Sequence, residues 1–338
     1  MSERRWKVGI LGVTGAVGRT MAACLAECRF PASSVRGFAS PRSVGARVPA
    51  GAGTRAEEIV VEPLTEEAIG ACDLVLLSAG GDVAREWVPR LAERKIWAID
   101  NSSAFRMDPG VPLIVPEVNG AELPATPGPI ANPNCSTIQM VVALAPLARA
   151  FGLERVHVAT YQSVSGRGQK GIVALEAERR GERDPGGAFP HAIDQNVIPQ
   201  CDVFLADGVT REEEKMIRET RKILSLPDLP VHVTCARVAV PVSHSEAVHA
   251  TLGRAASREE VIAVLRAAPG VKVADDPEKS VYPTPARVAG TNEVWVGRVR
   301  QDRCDPRIAA LWIVADNLRK GAAWNAVQIA SAIAAREG

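Results

Sequence analysis

The sequence predicts an α/β protein of two domains. An N-terminal parallel sheet is covered by helices on both faces, and an α+β domain on a largely antiparallel or mixed sheet follows it. Three observations carry this reading. The first hundred residues alternate short, continuously apolar runs with helical segments, as strands buried on both faces of a parallel sheet do. The second half has longer strands with fewer helices between them. A length of 338 residues exceeds one ordinary core and suits two.

The elements follow in order. WKVGILG is a strand and AVGRTMAACLAEC has helical period. VRGFAS, EIVVEPL and DLVLLSA are strands, DVAREWVPRLAER is an amphipathic helix, and IWAIDNSS is a strand again. Residues 105–134 are rich in Pro and Gly and mark a boundary. STIQMVVALAPLARA predicts a helix over 136–150. Long strands recur at ERVHVATYQSV, VHVTCARVAVPV, HSEAVHATLGR, EVWVGRVRQD and IAALWIVAD, with helices near 168–181, 210–225 and 257–267. The last segment, LRKGAAWNAVQIASAIAARE, is an apolar-faced helix expected to fold back onto the first domain. The expected domains are therefore 1–134 with 319–338, and 135–318.

Forty basic residues against 39 acidic ones give a net charge of +1, which argues against nucleic acid or an anionic membrane as partner. No apolar run reaches the ~20 residues that span a bilayer, and the N-terminus lacks a signal-type apolar core. The expected location is cytoplasmic. The seven cysteines are scattered without a CxxC pair, so neither a disulfide framework nor a metal site is expected. Cys24, Cys28, Cys72 and Cys235 lie in helical or strand patterns and read as packing residues. Cys135, in the polar stretch ANPNCSTIQ, does not.

Gly12, Gly15 and Gly18 follow the first strand and open the first helix. Such glycines permit a tight turn and let backbone N–H groups approach a pyrophosphate. The GxxGxxG spacing departs from the usual GxGxxG, and its position in a Rossmann-like βαβ unit is what points to a dinucleotide; a plain Gly-rich turn is the alternative. The second strand ends without an acid and runs into SPRSVG. Ser40, Arg42 and Ser43 suit a 2′-phosphate better than a ribose hydroxyl, which favours NADP. A solvated turn with one arginine is the other reading.

A helix starting near Ser136 puts Cys135 in its N-cap region, where the dipole favours thiolate. A nucleophilic thiol needs a base. Of the five histidines, His157 and His249 sit inside strand patterns and His232 begins one; His191 follows a loop. His244 lies where one long strand gives way to another, the edge of a cleft.

GVTGAVG, ASPRSVG, NSSAFRM, NPNCSTIQ, YQSVSGRG, EEEKMIRET, CARVAVPVSHSEA and WNAVQIA, in this order, resemble the aspartate-semialdehyde dehydrogenase family from residue 7 to about 330. The resemblance implies an NADPH-dependent homodimer that reduces L-aspartyl 4-phosphate to L-aspartate 4-semialdehyde through a thioester, feeding lysine, threonine, methionine and diaminopimelate. It implies that Cys135 is the nucleophile, His244 the acid/base, and Gln162 the residue that orients the thioacyl group. Arg237 would grip the α-carboxylate and Glu212 the ammonium, with Glu213 and Glu214 as alternatives one register away. Arg106, Asn134 and Lys215 would hold the phosphate. Thr14, Gly15, Ala16, Val17, Arg42, Ser43, Ser165, Gly166 and Asn325 fall on cofactor positions. From pattern alone, REEEKMIRETRK reads by default as a solvated helix face laced with ion pairs. Arg237 is harder to place so, since a charge on an apolar strand needs a partner. N-acetylglutamyl-phosphate reductase, running the same chemistry on a longer acylated substrate, is the alternative enzyme. A non-catalytic paralogue is the alternative outside catalysis.

Overall fold

The structure, a computed structural model, describes residues 4–50, 58–184 and 186–337. The chain divides into two compact units, Met1–Pro133 with Ala322–Gly338, and Asn134–Gly321. Asn134 and residues 319–321, which the sequence reading places with the first domain, cluster with the second unit. Asn134 caps the second unit's first long helix, and the Gly321 N–H donates to Asp316 O.

In the first unit the strands are β1 (Trp6–Leu11), β2 (Ala32–Ala39), β3 (Arg47–Pro49), β4 (Glu58–Pro63), β5 (Leu74–Leu77), β6 (Trp97–Asp100) and β7 (Pro129–Ala131). They form one sheet in the order β3-β4-β2-β1-β5-β6-β7. All pairings are parallel except the edge strand β3, antiparallel to β4. The helices are α1 (Ala16–Glu27), α2 (Glu66–Gly70), α3 (Gly81–Glu93) and α4 (Pro116–Asn119), joined at the chain's end by α10 (Trp324–Glu337). Successive residues of β5 serve opposite faces. Leu74 and Leu76 pack with Met21 and Leu25 of α1 and with Val327 and Ile333 of α10. Val75 and Leu77 pack with Trp87 and Leu91 of α3. Each such leucine contributes roughly 1.5–3 kcal/mol, and this two-sided burial is why the strands read as unbroken apolar runs. Strand order reverses between β1 and β5, and ligands of such sheets bind beyond the strand ends at that reversal.

The second unit holds α5 (Cys135–Phe151), β8 (Arg155–Gln162), α6 (Gln169–Arg179), β9 (Val197–Ile198), α7 (Arg211–Leu224), β10 (Val231–Val238), β11 (His244–Thr251), α8 (Arg258–Ala267), β12 (Val271–Val273), α9 (Pro285–Val288), β13 (Val294–Gln301) and β14 (Ile308–Ala315). Its mixed sheet runs β12-β13-β14-β11-β8-β10-β9. β8 alternates exposed and buried residues, the mark of a sheet with one covered face. Helices α5, α7 and α8 pack against the sheet. Strands β3, β7, β9 and β12, of two or three residues each, are too short to show a period in sequence. Among the described residues, no helix is long and apolar enough to cross a membrane.

Candidate active site

Helix α5 begins at Cys135 itself, one residue before the start read from sequence, because Asn134 is the cap. The Asn134 side chain accepts from the Ser136 and Thr137 N–H groups at 3.0 and 3.1 Å, satisfying two of the donors a helix start leaves open. Its own backbone N–H donates to Glu219 Oε2 of α7 at 2.6 Å. Cys135 is thus the first residue of a helix anchored at its entrance. It is half-buried, unlike the buried Cys24, Cys72, Cys201 and Cys235. Burial pushes the Cys201 thiol up to about 12 and the Cys72 thiol to about 11, so those thiols are inert. Gly321 lies against Cys135: a Cβ built there would stand 2.8 Å from the Cys135 Cβ.

His244, the first residue of β11, is fully buried. The Ser163 backbone N–H donates to its Nδ1 at 3.0 Å, and Ser163 Oγ lies 3.0 Å from the same atom. The backbone donor assigns the resting proton to Nε2. Nε2 makes no hydrogen bond among the described residues. Burial and then the Arg237 charge hold the imidazole pKa well below its ordinary value, so the ring rests neutral. Asn317 steadies the loop beneath: its Oδ1 accepts from Ser163 Oγ, Ser165 Oγ and the Ser243 N–H at 3.0, 3.1 and 2.9 Å. Gly166 is confined between Arg237 and His244, since a Cβ there would come within 2.6 Å of Arg237 Nη1 and 3.1 Å of the His244 ring.

Strand register gathers the polar side chains. Arg237 of β10 pairs with Gln162 of β8, and Ser245 of β11 with Tyr161, so Arg237, Gln162 and His244 reach one end of the covered face. Arg237 Nη1 donates to Ser163 O at 2.7 Å, and no second hydrogen bond of its guanidinium occurs among the described residues. Of the three consecutive acids, Glu212 faces this cluster. Its Oε1 accepts from Asn134 Nδ2 at 2.8 Å and Gln162 Nε2 at 3.3 Å, and its Oε2 from Lys215 Nζ at 3.3 Å. Burial alone would raise its pKa, but Lys215, the Asn134 amide and Arg237 outweigh it and hold the carboxyl below its ordinary value. Glu213 instead closes a capping box with Thr210 and accepts from the Cys235 N–H. Glu214 pairs on the surface with Arg218. Lys215 is also held by Asp202 at 2.7 Å.

The remaining predicted residues belong to the first unit. Thr14, Gly15, Ala16 and Val17 carry the chain from β1 into α1, whose cap, Gly15, offers no side-chain bond and whose first turn has no acid. Those N–H groups suit an anion. Gly12 has φ +89°, and a Cβ at Gly18 would stand 2.2 Å from Gly12 O, so both positions need glycine. Ser40 precedes the single turn Pro41–Ser43, with Arg42 in its middle, and the strand before it ends in Ala39 without a carboxylate. The loop fits a pyrophosphate and the turn a 2′-phosphate. Buried Arg106 donates to Asn132 O and Asn101 O at 2.9 and 3.0 Å. Asn325, fully buried in α10, donates to Ile114 O and Asn132 Oδ1.

Sequence reasoning missed Ser163, Asn317, Glu219, Asp202 and Gly321. Ser163 adjoins Gln162 in YQSVSG and was within reach. The others act through tertiary contacts that leave no local pattern.

Two family models match the chain: "Semialdehyde dehydrogenase, NAD binding domain" over residues 7–126 and "Semialdehyde dehydrogenase, dimerisation domain" over 144–320. An aspartate-semialdehyde dehydrogenase of Aquifex aeolicus is 45% identical over 96% of this chain and 97% of its own. The crystal structure of Vibrio cholerae aspartate semialdehyde dehydrogenase II complexed with ASA superposes with a TM-score of 0.91 at 41% identity, covering 98% of each chain. The Candida albicans aspartate semialdehyde dehydrogenase with NADP gives 0.76 at 25% identity, covering 99% of each.

Proposed function

The chain belongs to the aspartate-semialdehyde dehydrogenase family, and from that premise we propose that it reduces L-aspartyl 4-phosphate to L-aspartate 4-semialdehyde with NADPH, through a thioester on Cys135. The observation that carries the reading is a half-buried thiol at the entrance of a capped helix, in the unit that buries a neutral imidazole and a ring of substrate-sized polar groups.

Cys135, as the thiolate that a helix entrance favours, attacks the acyl phosphate carbonyl, and inorganic phosphate leaves. NADPH, when bound, would supply the hydride that reduces the thioester. The Nε2–H of neutral His244, whose Nδ1 is held by the Ser163 N–H, donates to the thiohemiacetal oxyanion. Collapse of that oxyanion gives the aldehyde and returns the Cys135 thiolate. A thioester accepts hydride where a carboxylate does not. Arg237 pairs with the substrate α-carboxylate through its open N–H groups, and Glu212 with the ammonium. Lys215, Asn134 and Arg106 hold the phosphate. Gln162 orients the thioacyl group. The turn after β1 and the Ser40–Ser43 turn hold the dinucleotide, and Ser165, Gly166 and Asn325 complete the cofactor positions.

An acid for a free ammonium favours this substrate over an N-acylated one. We place the reaction in the cytoplasm, where a catalytic thiol stays reduced, and the working form is a homodimer built through 135–318. Phosphate-dependent reduction of NADP with aspartate semialdehyde tests the assignment. Wild type should turn over and Cys135→Ala should lose at least 10³-fold; undiminished turnover by that variant would remove the thioester.

A further inference from the structure

Directly beneath the reacting groups lies a buried acid that the mechanism does not use. Glu246 is fully buried on β11, two residues after His244, so both side chains point to the same face of the strand. Across the sheet its register partners are Thr160 of β8 and Ile313 of β14, and Thr160 in turn pairs with Cys235 of β10. All four are buried. They form the row immediately below the one that ends in His244, Gln162 and Arg237. Helix α5 packs on β11. The α5 side chain acting on the Glu246 carboxyl is Gln139, 1% exposed and one helical turn after Cys135, hence on the same face of α5 as the nucleophile. None of the four polar atoms, the two carboxyl oxygens and the amide N and O of Gln139, makes a hydrogen bond to any described group, each other included, with the carboxyl as an acceptor. Two neighbouring buried polar side chains left so are satisfied by a proton shared between them.

We propose that Glu246 and Gln139 are positioning residues, a polar latch that fixes the strand bearing His244 against the helix bearing Cys135. The inference rests on the thioester reading above. Burial raises the Glu246 pKa well above its ordinary value, against a smaller opposing pull from the Gln139 amide, so the latch is a neutral carboxylic acid facing that amide, and it places no negative charge beside the imidazole. The titratable neighbours on this covered face are His244 on its own strand, Cys235 two strands away and Arg237 in the row above. Gln139, which is uncharged, faces it from α5.

The full-length homodimer tests this with four variants. Glu246→Met and Gln139→Leu should each lower kcat at least tenfold while KM for aspartate semialdehyde stays within twofold. The double variant should be no worse than either single one. The midpoint of the pH profile for iodoacetamide alkylation of Cys135, followed on its own peptide because Cys304 is exposed, should rise by half a unit or more in both. Glu246→Gln keeps a neutral hydrogen-bonding group of the same shape and should retain at least a third of kcat with an unshifted profile. Wild-type kcat and alkylation in folded Glu246→Met or Gln139→Leu would overturn the latch, as would a Glu246→Gln variant impaired as badly as Glu246→Met. Should Glu246→Met fail to fold, Gln139→Leu decides alone. Cys135→Ala run in parallel separates the two ideas: turnover by that variant sinks the thioester, whereas normal Glu246 and Gln139 variants sink only the latch.

Discussion

At Gly321 one methyl group is enough to test the site's tolerance. Its backbone conformation is open to any residue, so space alone demands glycine: an added Cβ would stand 2.8 Å from the Cys135 Cβ and 3.3 Å from its Cα. Gly321→Ala should therefore displace the nucleophile and lower kcat/KM by about 10²-fold, the scale of a misplacement near 1 Å. Dinucleotide affinity, measured by fluorescence titration, should stay near wild type, and an unchanged kcat/KM would show that the neighbouring segment gives way freely. Arg237 makes the complementary case. It spends one N–H on Ser163 O, and if the others hold the substrate carboxylate as proposed, Arg237→Leu should raise KM and lower kcat together. Loss of a charged pair worth about 1.5–3 kcal/mol corresponds to roughly 10- to 100-fold in kcat/KM, read from initial rates.

Among the elements, α7 shows how far a local pattern carries. Its charge-rich sequence reads by default as a solvated face, and the structure uses it both ways: Glu214 and Arg218 pair on the surface while Glu212, Glu213 and Glu219 turn inward and are buried. Periodicity located the helix, but which acid turned inward depended on its phase against α5 and β10, which no local signal records. The same limit applies to Asn317 and Gly321, whose contacts reach across 154 and more positions to Ser163 and Cys135. By contrast, Cys135, His244 and the glycine turn were legible, because each sits where a regular pattern breaks. The capping box that starts α7 gives this scale its prediction. Thr210→Ala removes the bond that the Glu213 N–H donates to Thr210 Oγ1 and should cost about 1 kcal/mol of stability. Since α7 carries Glu212 and Lys215, KM should rise with little change in dinucleotide affinity. Urea melts and steady-state kinetics together check both.

For the molecule as a whole, two buried groups of opposite sign shape stability against pH. His244 has its pKa depressed in the fold from an ordinary 6.5. Its contribution is fully present above pH 6.5 and is lost as pH falls below that value, because the unfolded chain takes up the proton first. Glu246 has its pKa raised from an ordinary 4.5. Its contribution is fully present below pH 4.5 and is lost as pH rises toward the folded-state value, because the unfolded chain ionises first. Between these two pH values the slopes oppose each other, each at most about 1.4 kcal/mol per pH unit, so the two titrations nearly cancel. Above pH 6.5 the Glu246 term alone remains. Glu246→Gln removes that term and leaves His244 in place. The variant's stability relative to wild type should thus stay constant below pH 4.5 and grow as pH rises from there toward the folded-state value, whatever fixed offset the amide introduces. Paired urea titrations at pH 4, 5.5, 7 and 8 measure the gap. A gap that stays level from pH 5.5 to 8 would mean that the acid is already ionised in the folded chain, and the neutral carboxyl inferred beneath His244 would be wrong.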